Sequence, residues 1–206
     1  KVGVAQVNVL DKAIHMAVED LFSATNFILD NADQFGVNPS NIVISGSSAG
    51  AISVMQAEYE IANATQWASV LPAGFNYAGV MSFSGAILSR EGKVDFKKSP
   101  CPTLMLHGTS DELVPYDQIK VFNLGFFGGG KLVERFKKYG LNYNMYHFTE
   151  YGHEIAGSMD TTLDLQLKFL ETNVMQKKMR IVEAWISDPD VFKGSGPQSR
   201  KELYGN

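Results

Sequence analysis

The sequence has little cysteine, no long apolar run and no excess of basic charge, and each shortage limits the possible functions. Its one cysteine, Cys101, cannot form a disulfide within the chain; this fits a reducing compartment but leaves export equally open. No apolar run approaches the roughly 20 residues that a membrane-spanning helix needs. Lysines and arginines number 18 against 22 acidic residues and form no block, so the sequence favours neither nucleic acid nor a charged membrane surface as partner.

Metal-binding and phosphate-binding patterns are also missing. The sequence contains no cysteine pair, no HExxH motif and no run of spaced acids, so we expect neither a metal nor a cofactor. Gly128, Gly129 and Gly130 precede Lys131, but they lack the GxxxxGK[ST] spacing of a phosphate-binding loop. We therefore interpret these glycines as the interruption of a helix.

What the sequence does contain is an ordinary globular composition, with 45% hydrophobic and 19% charged residues in 206. This fits one domain. Apolar residues at 3.6-residue spacing predict an amphipathic helix over 11–34. Further on, short apolar segments alternate with helical ones, which predicts an open, mostly parallel α/β sheet with helices on both faces. The predicted strands are 42–45, 77–83, 103–106 and 142–148, and the predicted helices between and after them are 51–62, 119–139 and 161–170.

The end of the chain divides into two parts. Residues 174–186 keep helical spacing until Asp188 and Pro189, and residues 190–206 are polar with several glycines. We therefore expect a catalytic core over 1–176, followed over 177–206 by a C-terminal helix and a loosely packed polar tail.

The segment "NIVISGSSAG" contains the pattern Gly46-x-Ser48-x-Gly50 between an apolar strand and an apolar helix. Such a pattern occurs by chance and then marks only a tight turn. In this context it predicts a sharp strand-to-helix turn, with Gly46 and Gly50 relieving the crowding. Ser48 would stand at the apex as a nucleophile, and the N–H of Ala49 would face a developing oxyanion. Ser47 should point aside.

A serine nucleophile needs a base and a group that orients the base. Among the four histidines, His153 follows a predicted strand and precedes a helix, which places it at the same sheet edge as Ser48. His107 is expected to order a loop and His147 to be structural. Asp111 also follows a strand and could accept a hydrogen bond from His153. The chain order Ser, Asp, His is that of a triad on an open α/β sheet.

With these residues the chain resembles the α/β-hydrolase superfamily, and within it the carboxylesterase/lipase branch. The resemblance lies in "FGVNPSNIVISGSSAGA", "LMLHGTSDELVPY" and "YGHEI" and extends from about Asn8 to Leu170. It implies a carboxylic-ester hydrolase in which Ser48 attacks the ester, His153 acts as base and Asp111 orients His153.

The beginning of the chain departs from this family. Strands and a second oxyanion donor usually precede the serine turn, whereas here residues 1–10 look like the connection before a single helix. We therefore expect that the N-terminal part of the fold is missing, and that an upstream segment or a partner chain completes the sheet.

The substrate is less determined than the chemistry. Small or medium esters are the main expectation, including acetyl or feruloyl esters of carbohydrates. A prolyl-oligopeptidase-like peptidase and a non-catalytic hydrolase-fold binding protein remain alternatives. Residues 63–78 are the first candidate for a lip over Ser48. Aromatic and apolar side chains that could line a pocket, although core packing is the more common role for most of them, are Trp67, Phe75, Tyr77, Met81, Phe126 and Phe127.

Overall fold

The computed structural model of the chain describes residues 4–191. Within this range the helices are α1 (Val4–Asp30), α2 (Ala32–Phe35), α3 (Ala49–Ala62), α4 (Gly129–Lys138) and α5 (Leu163–Phe169), and a π-helical turn (Leu170–Met175) continues α5. The strands are β1 (Val43–Ser47), β2 (Gly79–Phe83), β3 (Ala86–Ser89), β4 (Thr103–Gly108), β5 (Gln118–Val121), β6 (Leu124–Gly128), β7 (Tyr143–Phe148) and β8 (Val182–Ile186).

The main sheet is parallel, in the order β1-β2-β4-β7-β8. Its central strands β4 and β7 are buried along their whole length, as expected when helices cover both faces. Successive side chains of β4 separate into two cores, because a strand alternates its faces. Met105 joins the core formed with α1, α3 and α4, whereas Leu104 and Leu106 join Phe169 and Val174 on the other face. The predicted fold class is confirmed.

The first helix forms for the reason that the sequence suggested, but it starts earlier. Ile14, Val18 and Phe22 are four residues apart and all buried, so they form the stripe that faces the core. The helix begins at Val4. The expectation that residues 1–10 form a connection is therefore wrong for the described part from Val4 onward.

The segment 119–139 is not the broken helix that we predicted. Strands β5 and β6 form an antiparallel hairpin, and β6 also pairs with β3 to make a second, three-stranded sheet. Helix α4 begins only at Gly129. The prediction failed because the partner of Phe127 is Ile87 on β3, a contact that local spacing does not encode. The three glycines thus join a strand to a helix rather than interrupt a helix.

The predicted C-terminal helix is also wrong where the structure describes it. Val182–Ile186 is a strand that pairs in parallel with β7 at the edge of the main sheet. The segment "VEAWI" is short enough to fit the spacing of a helix or of a strand. It forms a strand because it pairs with the edge of β7. Residues 192–206, which include most of the predicted polar tail, lie outside the described residues.

Candidate active site

Three strands of the main sheet end near the residues of interest. Strand β1 ends at Ser47, β4 at Gly108 and β7 at Phe148. Because the strands are parallel, their carboxyl ends share one edge, and the loops that follow them meet there. Ser48, Asp111 and His153 lie in these loops.

Ser48 stands at a strained turn between β1 and α3. Its φ of 52° and ψ of −117° form a backbone conformation that costs a non-glycine residue on the order of 1–3 kcal/mol. Its N–H donates to the carbonyl of Phe83 at 2.9 Å, which holds the turn against β2. A Cβ at Gly46 would lie 2.2 Å from the carbonyl oxygen of Gly50, so the turn requires glycine at position 46.

The prediction that a glycine is needed to relieve crowding is confirmed at Gly46 but is wrong at Gly50. A Cβ added to Gly50 meets nothing within 4 Å. The crowding therefore comes from the backbone of Gly50 approaching Gly46, and no contact of its own requires a glycine at position 50.

The structure brings the three predicted side chains into one hydrogen-bonded chain, which we call the Ser48–His153–Asp111 chain. Ser48 Oγ lies 2.7 Å from His153 Nε2, and His153 Nδ1 lies 2.9 Å from Asp111 Oδ2. His153 and Asp111 are both buried, with 6% and 7% of their surface exposed. Burial excludes water that would compete for these bonds.

Asp111 is held in its ionised form. Its Oδ1 accepts the N–H groups of Leu113 and Val114 at 2.9 and 3.0 Å. Burial alone raises the pKa of this carboxyl, but hydrogen bonding with His107 and His153 outweighs burial and holds the pKa well below its usual range. A carboxylate that stays ionised can stabilise a protonated His153.

Ser47 points away from His153, as predicted, but it has a partner that the sequence did not reveal. Its Oγ donates to the carbonyl of Ala156 at 2.6 Å. Ala156 belongs to the 3-10 helix His153–Gly157. The hydroxyl next to Ser48 therefore ties the serine turn to the helix that carries His153.

Ala49 is the first residue of α3. The N–H groups of a first helical turn have no acceptor within the helix and lie at the positive end of its dipole. The N–H of Ala49 therefore lies at the positive end of α3, next to Ser48.

The side chains that we considered for a pocket pack in or against the cores, and the cavities that Trp67 and Phe75 line do not include Ser48. Phe127 and Tyr77 are buried in the main core, Phe75 and Phe126 pack against that core, and Met81 packs against the core on the other face. Trp67 stacks on His15, with ring centroids 4.3 Å apart, beside a cavity of about 440 Å³.

The lip predicted for residues 63–78 is wrong. This segment follows the C-terminal end of α3, whereas Ser48 caps the N-terminal end. Fourteen helical residues separate the two ends by roughly 20 Å. Gln66–Val70, the 3-10 helix in this segment, packs against α3 and α1.

Two further observations concern other classes of function. Among residues 4–191, no group of three His, Cys, Asp or Glu side chains is arranged to hold a metal ion. In that same range no helix combines the length and apolar character needed to cross a membrane.

Comparisons with known proteins concern the family and the fold. Residues 8–78 match the family model described as BD-FAE, an esterase-associated domain. No curated protein matches the chain. Among solved structures, the chain is similar to MGS-M1, an α/β-hydrolase enzyme from a Medee basin deep-sea metagenome library, with 19% identity and a TM-score of 0.50 over 75% of this chain and 63% of that one.

Two other solved structures are similar to the chain. One is the esterase PE8, at 21% identity and a TM-score of 0.48 over 73% of this chain and 61% of that one. The other is a truncated form of a carbohydrate esterase from gut microbiota, at 17% identity and a TM-score of 0.49 over 75% and 67%. The chain thus spans 61% of the length of esterase PE8. Together with the sheet topology, the likeness to MGS-M1 shows that the chain has the α/β-hydrolase fold.

Proposed function

We propose that the protein is a serine hydrolase that cleaves carboxylic esters through an acyl-enzyme on Ser48. The observation that carries this proposal is the Ser48–His153–Asp111 chain, with both hydrogen bonds at 2.7 and 2.9 Å. A serine hydroxyl is a weak nucleophile until a base takes its proton, and an imidazole in this position is such a base.

In the proposed reaction the proton of Ser48 Oγ passes to His153 Nε2 while Oγ forms a bond to the ester carbonyl carbon. The tetrahedral intermediate then expels the alcohol, which leaves with the proton from His153. Water attacks the acyl-enzyme next and gives its proton to His153, and Ser48 recovers that proton when the acid leaves. Asp111 keeps its charge throughout and stabilises the imidazolium.

The negative charge on the tetrahedral oxygen needs donors. The N–H of Ala49, at the start of α3, is one proposed donor. Removing one such donor from a hydrolase costs on the order of 100-fold in rate.

Small or medium esters, among them acetyl or feruloyl esters of carbohydrates, are the proposed substrates. A panel of p-nitrophenyl esters of increasing acyl length, feruloyl esters, acetylated sugars and aminoacyl-proline amides tests this. Turnover of the esters supports the proposal. Turnover of the amides alone would replace it with a peptidase.

Labelling with a fluorophosphonate tests the nucleophile. We expect the wild-type protein to be labelled, and Ser48→Ala to lose labelling and about a thousandfold or more of ester hydrolysis. Ser53→Ala is the matched control, because Ser53 lies about one turn further along α3 and its exposed hydroxyl bonds only the carbonyl of Ala49. Equal labelling of wild type and Ser48→Ala, or no labelling of the full chain, would contradict an enzymatic role for this site.

A further inference from the structure

We propose that His107 is a positioning residue that holds the Asp111 carboxylate in register with His153. The inference rests on the proposed serine-hydrolase function and adds a residue that has no contact with the substrate in that mechanism. Two observations support it: the hydrogen bonds of the His107 ring, and the close approach of residues 128–130 to His107 and to the loop that carries Asp111.

The contacts of His107 fix its tautomer. The ring lies near the end of β4 and is 1% exposed. The N–H of Gly129 donates to Nδ1 at 3.2 Å. Because a backbone N–H can only donate, Nδ1 has no proton in this arrangement, and Nε2 carries the proton of the ring.

The proton on Nε2 is directed at the Asp111 loop. Nε2 donates to the carbonyl of Val114 at 3.1 Å and lies 3.4 Å from Asp111 Oδ2. It therefore contacts both ends of the turn that presents the carboxylate. Asp111 Oδ2 thus lies between two imidazoles, with His153 Nδ1 at 2.9 Å and His107 Nε2 at 3.4 Å.

The backbone of residues 128–130, at the start of α4, packs against His107 and the loop that carries Asp111. Gly128 donates to the carbonyl of Asp117 at 2.7 Å, and Gly130 donates to the carbonyl of Tyr116 at 2.8 Å. A Cβ at Gly129 would lie 2.9 Å from His107 Nδ1, and one at Gly128 would lie 1.7 Å from the carbonyl oxygen of Pro115. The glycines that suggested a helix break are instead a strand-to-helix junction. Its backbone packs against His107 and against the loop 111–117, which carries Asp111.

Loss of this support should misplace Asp111 rather than remove it. His153 would then lose its orientation toward Ser48, while the surface that contacts the ester stays intact. A displacement of about 1 Å in a catalytic group can cost on the order of 100-fold in rate. The expected deficit is therefore in kcat, with little change in KM.

Three variants of the full chain separate positioning from general packing. His107→Leu removes both hydrogen bonds, and His107→Gln retains an N–H near the position of Nε2. His147→Leu is the matched control, because His147 pairs with His107 across β4 and β7, is equally buried at 1% exposed and contacts Tyr116, Glu183 and Trp185.

The measurement is kcat and KM for p-nitrophenyl acetate, counted per active site titrated with a fluorophosphonate. We expect His107→Leu to lose about tenfold to 100-fold in kcat with KM within about threefold of wild type. His107→Gln should recover most of the loss, and His147→Leu should keep the wild-type kcat per site. A wild-type kcat in His107→Leu, or an equal loss in His147→Leu, would overturn the inference.

A second readout does not depend on turnover. The downfield proton NMR signal of the His153 Nδ1–H bond to Asp111 should move or disappear in His107→Leu and persist in His147→Leu. If the wild-type chain hydrolyses nothing but this difference is seen, the proposed function fails and the positioning role stands. An unchanged signal in His107→Leu would contradict the positioning role whatever the activity.

Discussion

Ser47 and Ser48 are adjacent in the chain, yet their hydroxyls bind different parts of the same 3-10 helix. Ser48 Oγ contacts the His153 ring at 2.7 Å, and Ser47 Oγ donates to the carbonyl of Ala156 at 2.6 Å. Two neighbouring side chains from β1 and its turn therefore fix both the ring and the backbone of the segment that carries it. At the scale of single residues, the position of the proposed base His153 therefore depends on Ser47 as well as on Ser48.

We expect Ser47→Ala to lower kcat for ester hydrolysis by about threefold to tenfold. The physical reason is that one hydrogen bond contributes about 0.5–1.5 kcal/mol, and its loss lets the 3-10 helix drift from Ser48. The measurement is kcat per site titrated with a fluorophosphonate, which removes any effect on the folded fraction. Ser53→Ala, with an exposed hydroxyl elsewhere on α3, should keep the wild-type value. A wild-type kcat in Ser47→Ala would show that the bond to Ala156 is dispensable.

At the scale of elements, the sequence could predict the residues that follow strands but not the contacts that support them. Ser48, Asp111 and His153 were recognisable because each comes after an apolar run and parallel strands share an edge. His107 is expected from the sequence to order a loop, but its partners and that of Ser47 could not be predicted, because they are distant in the chain. Ser47 and Ala156 are 109 residues apart, and His107 and Gly129 are 22 apart.

The same limit explains the missed strands. Strand β8 has the sequence VEAWI, with one polar residue in five, and a segment this short does not distinguish a strand from a helix by its spacing. Its strand conformation comes from the edge of β7, with which it pairs in parallel. Helix α1 could be predicted because its buried stripe repeats within the segment itself.

The junction between β6 and α4 leaves no room for a side chain at Gly128. We expect Gly128→Ala to lower the free energy of unfolding by several kcal/mol, since the new Cβ would lie 1.7 Å from the backbone oxygen of Pro115. Urea unfolding followed by circular dichroism measures this.

Gly157→Ala is the control for Gly128→Ala, because a Cβ at Gly157 meets nothing within 4 Å. It should unfold at nearly the same urea concentration as wild type. Equal stability of Gly128→Ala and this control would mean that the β6–α4 junction can move away from Pro115 with little loss of folding free energy. The junction would then not hold the loop 111–117 in place.

For the whole molecule, one buried acid links stability to pH. Glu58 on α3 is 3% exposed, and its Oε1 accepts the N–H of Cys101 at 2.8 Å. Burial raises the pKa of this carboxyl from 4.5 to about 7. The unfolded chain therefore releases the proton at a lower pH than the folded chain does.

The direction of the pH dependence follows from the higher pKa of Glu58 in the folded state. Below pH 4.5 Glu58 is neutral in both states, between pH 4.5 and about 7 only the unfolded state ionises, and above about 7 both are ionised. Stability should fall as pH rises through that interval, by roughly 3 kcal/mol in total. Glu58→Gln stays neutral, so we expect it to unfold at higher urea than wild type at pH 8 and to match wild type at pH 4.5. Urea unfolding across this range measures the difference, with exposed Glu19→Gln as the control for losing one carboxylate. Parallel curves for wild type and Glu58→Gln would show that Glu58 ionises in the folded protein without a cost.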